Sequence, residues 1–493
     1  MIPYANPILD SDFPDPDVTR FGDSFVLVAS SFNRTPGLPI LTSDNLVDWS
    51  YASHALAAVP PAVGHFDLPR RGGGVWAPSI RTHEGRLVVV YPDPDHGIFV
   101  TTAPAPQGPW TEPHLLIPGQ GLIDPCPLWD DDGRAYLVFG WARSRAGFKN
   151  RLSVVEVDPG LTTPIGPLRT VIDGDAIEGM ITVEGPKFYR RDGWYWIFAP
   201  AGGVATGHQV VFRSRSVWGP YEHRIVLEQG DSPVNGPHQG GWVTAPDGSD
   251  WFVHFQDRGP YGRVVHLQPM GWGADGWPWM GDEGTPVLTW PRGAETRPAS
   301  AGEPDRADDF TGPLNPAWHW QATPGADWAR CAGGVLSLEL VPHPTTELRT
   351  FPGMLGQSLP GYPCEVEVEV DLDADAPDGS RAGLAVFGHA YAFVGLERRA
   401  GATYAIRVSS AELGAETVEE AVACAGPLRV RLVTDAAARV TLGAQGAGAA
   451  LPEATFQATE AHWIGSDLCL FAQRPIGTPA ARASFTGWRL TRI

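Results

Sequence analysis

One short phrase occurs five times in the first 255 residues: an acidic residue and a glycine in a turn, then an apolar run rich in aromatics. The copies are Gly22-Asp23 before FVLVA, Glu84-Gly85 before LVVVY, Asp132-Gly133 before AYLVF, Asp192-Gly193 before WYWIF and Asp247-Gly248 before DWFVHF. Glycine-to-glycine spacings of 63, 48, 60 and 55 residues leave room for a four-stranded unit plus loops. Repeats of that length built from short strands predict a five-bladed β-propeller. Counting back from the glycines by seven, nine, nine, nine and ten residues reaches Asp15, Trp76, Asp124, Glu184 and His238. Equivalent positions in propeller blades converge on one axis, so three acids, one indole and one imidazole are expected to face each other there.

The rest of the chain predicts an all-β protein of two parts. Runs such as GIFVTTA (97–103), LSVVEV (152–157), QVVFRSRS (209–216) and RVVHLQPM (263–270) supply further blade strands, and no sustained helical period interrupts them. The propeller is assigned to residues 1–292 and a polar, Pro- and Ala-containing linker to 293–307. A β-sandwich of jelly-roll, concanavalin-like type is assigned to 308–493. CEVEVEVDL (364–372) and LRVRLVT (428–434) alternate strictly, as strands with one buried face do.

Charge and cysteine usage narrow the partners. The 36 Lys and Arg against 56 Asp and Glu give a formal charge of −20, which repels nucleic acid and anionic membrane surfaces and suits a neutral substrate. Five cysteines, an odd number without CxxC spacing, read as free thiols of a reducing compartment. The start MIPYANPILDSDF has neither a basic n-region nor an apolar h-region, and no apolar stretch approaches the ~18 residues of a membrane-spanning helix. A cytoplasmic protein without nucleic-acid or membrane partners is expected; whether it forms a homo-oligomer is left open.

Asp and Glu beside Pro or Gly are, singly, ordinary turn residues. Three at one phase of a repeat are a chemical constellation. A protonated acid can release a leaving oxygen while an ionised one activates water or attacks, and carboxyls crowded together push one another's pKa values apart.

The segments FPDPDV (13–18), GGVWAPSI (73–80), LIDPCPLWDDDGRAYL (122–137), VEGPKFYRRDGWYW (183–196) and GPHQGGWVTAPDGSDWFVHFQD (236–257), followed by YGRVVHLQPMGW (261–272), resemble glycoside hydrolase family 43. DDFTGPLNPAWHW and RAGLAVFGHAYAFVGLERR resemble the concanavalin-like sandwich of its β-xylosidase branch. The resemblance implies an exo-acting, inverting hydrolase that removes a terminal pentose, β-D-xylose first, from xylo-oligosaccharides. Alternatives are α-L-arabinofuranosidase, arabinanase or exo-galactanase activity, or a non-catalytic carbohydrate-binding propeller. It further implies that Asp15 is the general base, Glu184 the general acid, and Asp124 the acid that tunes and orients Glu184. Trp76 and Phe32 would wall the sugar site, and Arg263 would bind sugar hydroxyls near Asp124. His238 would hold a calcium-bound water on the axis, a structural ion rather than a cofactor of the chemistry. The basic, glycine-rich stretch HFDLPRRGGG (65–74) and the segment APAGGVATGHQ (199–209) depart from the familiar pattern. The sandwich is expected to pack against the propeller and narrow its mouth.

Overall fold

The recurring phrase is the hairpin between the first and second strands of each blade. Strand ends His83 and Arg86 face each other across Glu84-Gly85, and Arg191 and Trp194 across Asp192-Gly193. Both central residues of each turn have positive φ (48° and 73°; 50° and 74°), the backbone twist that two-residue hairpins prefer and that glycine adopts without cost. A computed structural model describes residues 2–60, 64–293, 295–296 and 302–493. In it five four-stranded antiparallel sheets follow one another, each ordered as the chain runs. The blades begin with the strands Asp17–Phe21, Ser79–His83, Leu122–Trp129, Lys187–Arg191 and His238–Thr244. The first strand of blade one neighbours those of blades two and five, and that of blade three neighbours those of blades two and four. The ring is closed by the chain's beginning: Tyr4–Ala5 pairs with Thr289–Trp290, and the Asn6 side chain donates to the carbonyls of Leu267 and Val287 (2.8 Å each).

Side chains tie the inner strands across the axis. Asp17 accepts from the Ile80 amide (2.9 Å) and from Arg81 (2.7 Å), and Arg81 also donates to Cys126 Sγ (2.9 Å). Cys126 Sγ accepts from the Phe188 amide (3.1 Å), and Tyr189 Oη accepts from the Trp242 amide (2.8 Å). Lys187, one of only two lysines in the chain, is fully buried and donates to Pro78 O (2.7 Å) and Ser79 Oγ (2.9 Å), joining blade four to blade two.

The sandwich consists of two sheets. Cys364–Leu372 lies between Arg482–Arg492 and Leu428–Thr434 in one, and Arg381–Phe387 lies between Asp467–Pro475 and Tyr391–Arg399 in the other. The alternation of CEVEVEVDL is realised residue by residue, with Val366, Val368 and Val370 in the core and the glutamates outside it. All five cysteines are free, and all but Cys331 are buried.

Propeller and sandwich are joined by a continuous seam. Thr35 and Trp320 exchange backbone hydrogen bonds (2.9 and 2.7 Å). Tyr261 enters the sandwich core, where its hydroxyl donates to Asp435 O (2.6 Å) and accepts from the Ala438 amide (2.8 Å). Of the residues expected to form a linker, 294 and 297–301 lie outside the described residues. Gly302 accepts from the Trp49 amide (2.8 Å), and buried Arg306 donates to Ser358 O (2.7 Å). This part is packed into the seam, because its polar side chains find protein partners instead of water.

Replacing Lys187 with Ala leaves the Pro78 carbonyl and Ser79 hydroxyl buried without their donor. A loss of about 3 kcal/mol of unfolding free energy is expected, measurable by urea titration; an unchanged midpoint would show that the axis does not depend on this ammonium.

Candidate active site

The four polar axial positions are presented by local backbone irregularity. Asp15 and Asp124 themselves have positive φ (53° and 57°), a conformation Asp tolerates better than most residues. At the other two polar positions the following residue takes it: Gly185 (58°) and Gln239 (42°). Register shifts mark the same places, between Ile123 and Cys126 and between His238 and Gly240. Bulges of this kind re-aim side chains at the end of a strand. Gly185 is required twice over, since a Cβ there would sit 2.7 Å from the Gln239 side chain.

The result is a cavity of about 450 Å³ lined by Asp15, Asp124, Glu184, Phe32, Trp76 and Arg263, together with Ala77, Ile123, Val204, Gln239 and Trp463. Asp15 is buried, with both oxygens engaged: Ser30 Oγ donates to one (2.5 Å) and Arg263 Nη1 to the other (2.6 Å). Asp124, also buried, accepts from the Gly185 amide (2.8 Å). Glu184 is the accessible acid, its side chain 26% exposed, and its Oε1 lies 3.1 Å from His238 Nε2. Phe32 is clamped by backbone bonds to Val75 in both directions (2.8 and 3.0 Å), and the Trp76 indole donates to Gly72 O (2.9 Å). Their rings stand 6.3 Å apart. Trp463, from the sandwich, completes the wall 6.3 Å from Trp76 and 5.7 Å from the Arg263 guanidinium.

Electrostatics single out the pair Asp124 and Glu184. Burial, reinforced by the Glu184 charge, pushes Asp124 up to about 8. Asp124 is therefore the carboxyl that keeps its proton through neutral pH, and the Asp15 charge adds to the rise. Glu184 is the acid that reaches into the cavity. Asp15 is bracketed by donors on both oxygens.

Six of the seven residues singled out in the sequence line this cavity, and the seventh, His238, stands behind Glu184. Two partnerships differ from expectation. Arg263, anticipated beside Asp124, donates to Asp15, because the loop carrying it is anchored by Asp12 on the Asp15 side. His238 turns Nε2 to Glu184, while its Nδ1 is buried without a hydrogen-bond partner. Calcium takes about six to eight oxygen ligands. Among the described residues no group of three or more His, Cys, Asp or Glu could hold a metal ion. His238 Nδ1 is the atom that would hold a calcium-bound water, and none of the chemistry below uses an ion.

Ser30, Gln239, Val204 and Trp463 escaped the sequence reading. Val204 and Gln239 lie within segments already singled out, APAGGVATGHQ and GPHQGGWVTAPDGSDWFVHFQD, and Ser30 stands two residues before Phe32. Trp463 belongs to the other domain and shares no repeat with the rest. Arg145, whose guanidinium lies 5.4 Å from the Trp76 ring and pairs with Asp95 (3.0 Å), carried no motif at all.

Residues 4–278 match the profile of Glycosyl hydrolases family 43, and residues 307–490 match the Beta xylosidase C-terminal Concanavalin A-like domain. The chain belongs to glycosyl hydrolases family 43. A putative beta-xylosidase of Xylanibacter ruminicola is 39% identical over 373 residues, 73% of this chain and 67% of the relative. A non-reducing end alpha-L-arabinofuranosidase of Bacteroides ovatus is 34% identical over 300 residues, 57% of this chain and 54% of that protein. The match thus spans between about half and two thirds of these relatives. Among solved structures, a xylan beta-1,4-xylosidase from Bacillus halodurans superposes with a TM-score of 0.85, covering 99% of this chain and 100% of that one at 21% identity, a likeness of fold.

The raised Asp124 has a consequence for stability. Between the ordinary carboxylate range and about pH 8 the native state holds a proton that the unfolded chain has released, so stability falls as pH rises through that window. Asp124→Asn removes the titrating group. The thermal midpoint should fall less in the variant than in the parent between about pH 5 and about pH 8; equal falls would refute the raised Asp124.

Proposed function

We propose that this protein is an exo-acting, inverting glycoside hydrolase that releases a terminal pentose, β-D-xylose, from xylo-oligosaccharides. One observation carries the reading: a single cavity gathers an accessible acid, Glu184, a neighbouring carboxyl raised by burial, Asp124, and a carboxylate held by donors, Asp15, with aromatic rings forming its wall. Family 43 membership makes the substrate a carbohydrate, and the names of the relatives point to pentosides. Closure by Trp463 favours a pocket that admits a chain end over a groove that a polymer threads.

In this mechanism the terminal xylose lies between Trp76 and Phe32. Glu184 gives a proton to the glycosidic oxygen as the bond from C1 to that oxygen breaks. Asp15 takes a proton from a water attacking C1 on the opposite face, so C1 inverts and both products leave neutral. Arg263 and Ser30 fix the direction of the Asp15 carboxylate. His238 orients Glu184, and the Gly185 amide holds Asp124 close to it. The same groups serve a terminal α-L-arabinofuranosyl residue, the activity named for the Bacteroides ovatus relative.

Glu184→Ala should lower kcat on xylobiose by roughly 10²–10⁴-fold while calorimetry still registers xylobiose binding. Equal, negligible hydrolysis by wild type and variant, with binding retained by both, would favour a carbohydrate-binding propeller. A panel of nitrophenyl β-xylosides and α-arabinofuranosides assigns the preferred sugar.

A further inference from the structure

We infer that a buried ionic node at the seam, Asp12, Arg34 and Asp467, is the positioning device that holds Arg263 on Asp15, so that the seating of the sandwich sets the base side of the cavity. The inference rests on the roles of Asp15 and Arg263 proposed above. Arg34 belongs to the propeller and is buried. Its Nη1 donates to Asp12 Oδ2 (2.9 Å) and its Nη2 to Asp467 Oδ1 on the sandwich (2.7 Å). Asp467 Oδ2 also accepts from His319 Nε2 (3.1 Å) and Gln321 Nε2 (2.6 Å). Although burial opposes ionisation, Arg34, His319 and these hydrogen bonds hold the Asp467 carboxyl at about 2.

Asp12 is where the node meets the active site. Its Oδ1 accepts from the backbone amide of Arg263 (2.9 Å), and its Oδ2 accepts from the amide of Gly465 (3.2 Å) as well as from Arg34. The Arg263 amide is two atoms from the Cβ that aims the guanidinium at Asp15, and Gly465 is two residues from Trp463. The approach is close enough to need glycine: at Gly262, with φ of 74°, a Cβ would lie 2.2 Å from Asp12 Oδ1. Segments carrying Phe32, Arg263 and Trp463 are thus registered on one carboxylate.

Stability alone is a poor reason to keep such a node. A buried ion triad is commonly matched or exceeded in stability by well-packed apolar residues. What it supplies is direction, because the fork of Arg34 spans two carboxylates at fixed angles and a lysine cannot.

The test uses Asp467→Asn and Arg34→Lys in the whole chain. Both are read by amide deuterium exchange and by kinetics on xylobiose. The amides of Arg263 and Gly465 should exchange at least about tenfold faster while peptides of blades two and three are unchanged. kcat should fall at least about tenfold in each variant, yet either substitution should cost less than about twofold when placed on Arg263→Ala, because it acts through that residue. Arg34→Lys keeps the charge and serves if Asp467→Asn does not fold. Unchanged protection at Arg263, wild-type kcat in a folded variant, or losses that multiply with Arg263→Ala would each overturn the node. The exchange reading needs no turnover: a wild type inactive on pentosides would sink the proposed function and leave protection at Arg263 to decide the node.

Discussion

Everything at the active site depends on side chains that cross the propeller axis below it. Blades in this fold share no strands, so only lateral contacts keep their inner edges at a common level. Apolar clusters pack between neighbouring blades, and the inner strands add polar contacts: Asp17 to blade two, Arg81 to Cys126, Cys126 to blade four, Tyr189 to blade five, and Lys187 across to Pro78 and Ser79. Each of these side chains has at least one polar partner, as buried polar groups require. This network fixes the ends of the inner strands within one cavity's width, and the bulges at Asp124 and His238 then turn side chains inward.

Crowding the acids is the chemical consequence. Burial and mutual repulsion raise Asp124, and Lys187 beneath the site and the Gly185 amide moderate the rise. Asp15 carries donors instead, with Ser30 and Arg263 on its two oxygens. Two carboxyl environments of opposite character in one cavity are the requirement for cleaving a glycosidic bond with an acid and a base. The sandwich contributes at the rim through Trp463 and on the base side through Asp467, which pairs with Arg34 of the propeller.

Much of this was legible in the sequence because it is periodic. A turn phrase repeated five times reports five hairpins, and a fixed phase reports one shared location. GIFVTTA (97–103), CEVEVEVDL (364–372) and LRVRLVT (428–434) are strands over the ranges their patterns indicate. Arg439–Gly446 and Ala449–Gln457 carry no such signal, being rich in Ala and Gly and exposed along much of one face. The residues missed at the site were missed for a different reason. Trp463 reaches it, and Asp467 reaches Arg34, only through the docking of one domain on another, which no local pattern encodes. The linker was assigned on a polar, Pro- and Ala-containing composition, yet Arg306 within it is buried and bonds a carbonyl 52 residues along the chain. Arg263 was recognised by its motif, but its true neighbour depends on Asp12, a residue 251 positions away.

The central claim is that Asp124 and Glu184 act together as the acid and Asp15 as the base for water, in a single displacement. The stereochemistry of the first product tests it most directly. Proton NMR of xylobiose hydrolysis, recorded before mutarotation intervenes, should show the sugar released from the non-reducing end appearing as α-xylose. Initial release of β-xylose would mean a double displacement through a covalent intermediate and would contradict the assignment of Asp15.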